Sequence, residues 1–133
     1  MVGELQGCEV LSKTGSTVNG VSTTPGSGDT VVLYQSNLPS ARGAGARFKM
    51  LILNVTSSAD SAASGVIFEE SDDGGVTWDT LPTTFTYTTI SGRVKTYAKV
   101  SAPELRVRYA NSGAALTTWR FSLLGDSEER SNG

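Results

Sequence analysis

The strongest constraint on this chain is the strict alternation of apolar and polar residues in its last third. Leu105, Val107 and Tyr109 fall on one parity, and Glu104, Arg106 and Arg108 fall on the other. Trp119, Phe121 and Leu123 alternate in the same way with Thr118, Arg120 and Ser122. Successive side chains of a β-strand point to opposite faces, so a two-residue period marks a strand with one buried and one wet side. Between the two runs, Asn111-Ser112-Gly113 supplies a turn, with Gly113 able to take positive φ.

Runs of the same kind continue back to Asp29. They cover residues 30–35, 47–55, 65–70, 76–81, 85–90 and 93–100. With residues 105–110 and 117–124 they make about eight strands, spaced as in a sandwich or jelly roll. In the longest run, Phe48, Met50 and Ile52 share one face while Leu51, Leu53 and Val55 share the other, which predicts partial cover on both sides. Residues 37–45 and 56–64 read as loops. Thr is abundant, and no stretch shows a helical stripe. The expected fold is therefore all-β: an antiparallel β-sandwich, jelly-roll-like. It comprises a sandwich domain over 29–126, preceded by residues 1–28 and followed by a polar C-terminal tail over 127–133. Residues 1–28 are rich in Gly, Ser and Thr and carry too little apolar surface to offset the entropy of ordering. They read as an extended N-terminal arm that orders along a neighbour. Deleting residues 1–24 should then leave the domain folded and weaken its attachment.

Composition narrows the chemistry. A chain of 133 residues fits one domain and buries roughly two-thirds of its unfolded surface. Cys8 is the single cysteine, so no disulfide forms within the chain, and it reads as a small apolar residue. With no His and no second Cys there is no basis for a zinc site, a redox pair or a His-activated nucleophile. One cysteine is also compatible with synthesis in a reducing cytosol. Eleven Lys and Arg against thirteen Asp and Glu give a net charge of −2, which argues against a nucleic-acid partner. The longest apolar stretch, residues 50–53, is far short of the ~20 residues of a membrane helix. The first residues lack the basic-then-apolar pattern of a signal peptide. Neither feature points to a membrane.

One motif is specific. Ser71-Asp72-Asp73-Gly74-Gly75-Val76-Thr77-Trp78 has the spacing Ser-x-Asp-x-Gly-x-Thr-Trp. In such a turn Asp73 accepts backbone N–H groups, Gly75 takes a conformation that a Cβ opposes, Thr77 caps the loop and Trp78 folds onto the hairpin base. The pattern resembles the Asp box of sialidases and other propeller proteins. A propeller needs at least about four blades of four strands, and this chain has a single copy of the motif and no placeable sialidase residues. The expectation is a structural turn, no catalytic residues and no cofactor. Calcium binding by Glu69, Glu70, Asp72 and Asp73 is disfavoured, because strand neighbours face opposite ways and the final Glu of an EF-hand is missing. Glycosidase pairs such as Glu69 with Asp79, or Glu104 with Asp126, are no better placed than any other pair of acids. The glycine pairs at 43–45 and 74–75 lack a P-loop Lys, and the sequon at Asn54 falls in a strand.

The segment from Gly65 to Asp126 includes the Glu-Glu-Ser-Asp-Asp-Gly-Gly-Val-Thr-Trp turn and closes on Leu-Arg-Val-Arg-Tyr-Ala-Asn-Ser-Gly and Thr-Thr-Trp-Arg-Phe. It resembles a β-sandwich module of tailed-phage structural proteins, used in head decoration and in tail or baseplate components. The resemblance covers roughly half the chain. It implies a non-enzymatic virion protein that decorates and cements a phage capsid by bridging capsid subunits. The implied partners are the major capsid protein and further copies of the chain, with a trimer as the first arrangement to test. Arg93, Lys95, Lys99, Arg106 and Arg108 are the candidate contacts to an acidic capsid surface. The alternative is a tail or adhesin module that binds carbohydrate through exposed aromatics. Of the four candidates, Trp78 and Trp119 read as core, which leaves Tyr87 and Tyr97.

Overall fold

The computed structural model describes residues 8–14, 24–36, 48–81, 84–89, 93–96 and 104–127. Eight strands occur among them: β1 (Cys8–Lys13), β2 (Thr30–Gln35), β3 (Phe48–Ser57), β4 (Ser61–Ser71), β5 (Asp79–Thr80), β6 (Arg93–Thr96), β7 (Glu104–Asn111) and β8 (Trp119–Ser127). They form two four-stranded sheets, ordered β1-β8-β3-β6 and β2-β7-β4-β5. All the neighbours pair antiparallel. The pairs 1–8, 2–7, 3–6 and 4–5 alternate between sheets, which is the nesting of an antiparallel ribbon rolled into a jelly-roll-like sandwich.

The alternation read from the sequence explains the layers. Leu51, Leu53 and Val55 of β3 join Trp119, Phe121 and Leu123 of β8 on the inner side of the first sheet. Opposite them lie Leu33 and Tyr34 of β2, Val66 and Phe68 of β4, and Leu105, Val107 and Tyr109 of β7. The Tyr109 ring meets Trp119 edge-on at 4.9 Å, so the two sheets interdigitate through aromatics. Each such side chain stabilises the fold by roughly 1.5–3 kcal/mol on burial. Ile52 lies on the other parity of β3 and outside this core, yet it is only 9% exposed. That matches the expected cover on both faces.

Several boundaries differ from the sequence reading. The leading segment is partly built into the sandwich, because β1 pairs with β8 and Leu11 is in the core. Immediately after β1, the Thr14 N–H donates to the Phe121 carbonyl at 3.0 Å, and the Phe121 N–H donates back to Thr14 Oγ1. Residues 26–29 are tied down as well. Asn111 Nδ2 donates to the carbonyls of Gly26 and Ala114, each at 2.9 Å, and the Gly28 N–H donates to Ser112 at 2.8 Å. Edge pairing and a buried amide order this segment where its own apolar surface could not. The alternating runs β7 and β8 fall in different sheets, so the turn between them crosses the sandwich.

The expected loop over 56–64 shrinks to a short connection between β3 and β4. Ser61 holds its place by exchanging bonds with Tyr87: its N–H donates to the Tyr87 carbonyl, and its Oγ accepts the Tyr87 N–H, both at 3.0 Å. The β4–β7 register shifts between Ser61 and Val66. At this point a Cβ on Gly65 would lie 2.6 Å from the Ala110 carbonyl oxygen, so only glycine fits the close approach. The expected strand over 76–81 reduces to the two residues of β5, and the one over 85–90 to a single bridge between Val66 and Phe85. Residues 37–45, 97–100 and 128–133 lie outside the described residues.

Candidate functional site

The Ser71–Trp78 turn is held by its own side chains. Asp73 Oδ1 accepts the N–H groups of Val76 at 3.1 Å and Thr77 at 2.9 Å, and the Ser71 hydroxyl at 2.7 Å. Asp73 Oδ2 accepts the Thr77 hydroxyl. Ser71 Oγ in turn accepts the Gly75 N–H at 3.0 Å. The Thr77 hydroxyl, followed by the Thr77 amide and the Ser71 hydroxyl, holds the Asp73 carboxyl well below the usual carboxylate range. Gly75 has φ 93° and Gly74 φ 76°, left-handed positions where a side chain would be strained. Ser71, Asp73, Gly75 and Thr77 thus occupy the positions that the spacing implies. Trp78 differs: it is half-buried and lies outside the main core, with the Arg106 guanidinium stacked 4.5 Å from its ring centroid.

That arginine belongs to a cluster on the outer face of the second sheet. Register places Glu69 of β4 directly opposite Arg106 of β7, with Arg108 opposite Ile67. Arg106 Nε donates to Glu69 Oε1 at 2.7 Å. Arg108 donates through Nε at 2.9 Å and through Nη2 at 3.0 Å. Glu69 is only 3% exposed. Burial alone would raise its pKa, but hydrogen bonds to Arg106 and Arg108, together with their charge, outweigh it and lower the pKa below the ordinary value. The two arginines therefore serve an internal carboxylate, whose single charge offsets half of theirs within the face. Glu104 is engaged next to them, accepting the Ser36 hydroxyl at 2.5 Å.

These placements bear on the acidic candidates. Register sets Asp79 opposite Glu70 and Thr80 opposite Glu69, so Glu69 and Asp79 do not share a face. Glu104 and Asp126 belong to different sheets. No group of three His, Cys, Asp or Glu residues is arranged to hold a metal among the described residues. No helix among them is long and apolar enough to cross a membrane. Of the aromatic candidates, Trp119 and Tyr87 are core residues, 9% and 2% exposed, and Tyr87 Oη accepts the Ser57 N–H at 3.3 Å. Tyr97 and Lys99 lie outside the described residues.

The outer face of the first sheet is built differently. Register aligns Arg93 of β6, Asn54 of β3, Ser122 of β8 and Lys13 of β1 in one row across all four strands. In neighbouring rows Lys95 lies opposite Ile52, and Thr56 opposite Arg120. A shallow depression of about 220 Å³ is lined by Asn54, Val55, Thr56, Arg120, Phe121 and Ser122. Arg120 and Lys13 are exposed, and their side chains make no hydrogen bond or ion pair among the described residues. The sequence reading singled out Arg93 and Lys95 but neither Lys13 nor Arg120. Alternation already turned Arg120 outward, whereas Lys13 sat in the segment read as an arm.

No known protein family, curated protein or solved structure matches the chain.

Proposed function

We propose that this chain is a structural, non-enzymatic protein of a phage virion that decorates the capsid and cements it by bridging capsid subunits. Its partner is the major capsid protein, and copies of the chain itself are its neighbours. It is made in the host cytoplasm and ends on the capsid surface. The observation that carries this reading is where its polar chemistry is used. Glu69, Asp73 and Glu104 are all committed to bonds that brace the sandwich, and the depression on the first sheet is shallow rather than a cleft. Such a body acts through rigid surfaces, and a stable interface needs about 800 Å² from each partner, which a broad sheet face can supply. The choice of a phage capsid as the surface follows from the sequence resemblance noted for residues 65–126.

The carbohydrate-binding alternative has less support. Tyr87 and Trp119 are buried, and Arg106 covers one face of Trp78. The two readings separate on stoichiometry. Quantitative mass spectrometry of purified particles should find this chain in numbers comparable to the major capsid protein. A few copies per particle, located at the tail, would support the alternative, and absence from particles would end both.

A further inference from the structure

We infer that the outer face of the first sheet docks an acidic protein segment, with the Arg120 guanidinium as its anchor. This deepens the attachment reading above by naming a face and a partner chemistry, and it rests on that reading only for the identity of the partner. Among the described side chains, the two sheets carry their cations differently: Arg106 and Arg108 are bonded to an acid, and Lys13 and Arg120 are not. On the second sheet Arg106 and Arg108 are both engaged by Glu69, whose single charge offsets one of their two within the face. On the first, register places Lys13, Arg93, Lys95 and Arg120 on the outward parity. The only acid of that parity in these strands is Asp126, at the far end opposite Met50 and Cys8.

The local geometry suits a carboxylate. The depression at Arg120 is flanked by the amide of Asn54 and the hydroxyls of Thr56 and Ser122. A guanidinium binds a carboxylate through two parallel N–H groups, and neighbouring hydroxyl and amide donors satisfy its remaining lone pairs. Lys13 and Arg93 end the row three strands apart, about 14 Å at the usual strand spacing. An extended acidic segment laid across the strands can meet Lys13 and the Arg120 depression and run on to the register position of Arg93. Nucleic acid fits less well, because the chain as a whole is acidic, with a pI near 5.0, and presents no continuous basic field.

The test uses the full chain and a decaglutamate peptide, with binding measured by fluorescence anisotropy from about 0.02 M to about 0.2 M salt. The wild type should bind the peptide with a steep salt dependence. The Lys13→Gln, Arg120→Gln double variant removes two positive charges at exposed positions and should lose about tenfold or more in affinity. Arg120→Lys keeps the charge but loses the fork, and should fall between the two. The control Val76→Glu, Ala115→Glu makes the same change of two charges elsewhere on the exposed surface, and should bind nearly as well as the wild type. Equal weakening by the control would reduce the effect to general repulsion and overturn the inference. So would tighter binding of an oligo-dT of similar length, or no peptide binding at the lowest salt. Peptide binding by a chain absent from particles would uphold this face and remove the virion role. Unchanged particle occupancy of the double variant would do the reverse.

Discussion

Replacing Glu69 with Gln tests how the second sheet is braced. The Glu69 side chain is 4% exposed and accepts three charge-assisted hydrogen bonds, at 2.7, 2.9 and 3.0 Å. Hydrogen bonds to charged groups contribute about 1.5–3 kcal/mol each. Their sum overstates the loss, because Arg106 and Arg108 remain 20% and 32% exposed and regain water when released. Glutamine keeps the volume and one acceptor oxygen, loses the charge, and turns an NH₂ group toward Arg108. We expect a loss of about 2–3 kcal/mol near neutral pH, somewhat less than for a fully buried pair. For a chain of this size that lowers the melting temperature by roughly 10 °C.

The same substitution has a pH signature. The folded pKa of Glu69 lies below its ordinary 4.5. Its stabilisation is therefore complete above the unfolded pKa and disappears as pH falls through the folded one. Urea denaturation, followed by tryptophan fluorescence, should show the wild type and Glu69→Gln well separated near neutral pH. The gap should begin to narrow below about pH 4.5 and close once the folded carboxyl protonates. A neutral-pH difference under about 0.5 kcal/mol, or a gap that persists unchanged through the acid range, would refute the bracing argument.

Asp73→Ala should speed hydrogen exchange at the Val76 and Thr77 amides while distant β7 amides keep their protection; equal exchange at all these sites would show that the carboxylate does not organise the turn. Trp119→Ala should cost about 3–5 kcal/mol as a core truncation, against about 1 kcal/mol for Trp78→Ala, whose main partner is a stacked arginine; similar urea midpoints for the two would contradict their placements. Removing residues 1–14 takes away β1 and Leu11 and should destabilise the domain by about 2–5 kcal/mol. An unchanged midpoint would restore the view of that segment as a detachable arm.

Much of the sandwich is legible in single strands. Leu105, Val107 and Tyr109 alternate cleanly, and each is fully buried. What a strand cannot announce is its neighbour. Arg106 and Arg108 read correctly as outward, but Glu69 is 37 and 39 residues away, and only the β4–β7 register brings the three together. β1 is not legible because its core side chain Leu11 sits beside a shift in the β1–β8 register, which breaks the alternation. Ser61 to Gly65 reads as loop because its polar and small residues serve hydrogen bonds and a close backbone approach, both invisible in hydropathy. In the turn the reverse holds: every bond Asp73 makes lies within four residues, so spacing alone revealed it. The cationic row on the first sheet needed the order of all four strands, and no local pattern encodes that.

The β1–β8 pairing also governs how the body bears load. Cys8 lies beside Asp126, so the first strand begins and the last strand ends at one corner. Tension drawn between those two points peels the ladder open one rung after another, as a zipper yields from its end. Force spread over a sheet face instead strains many rungs in parallel. A sandwich pulled at that corner is therefore mechanically soft, and the same sandwich gripped across its face is stiff.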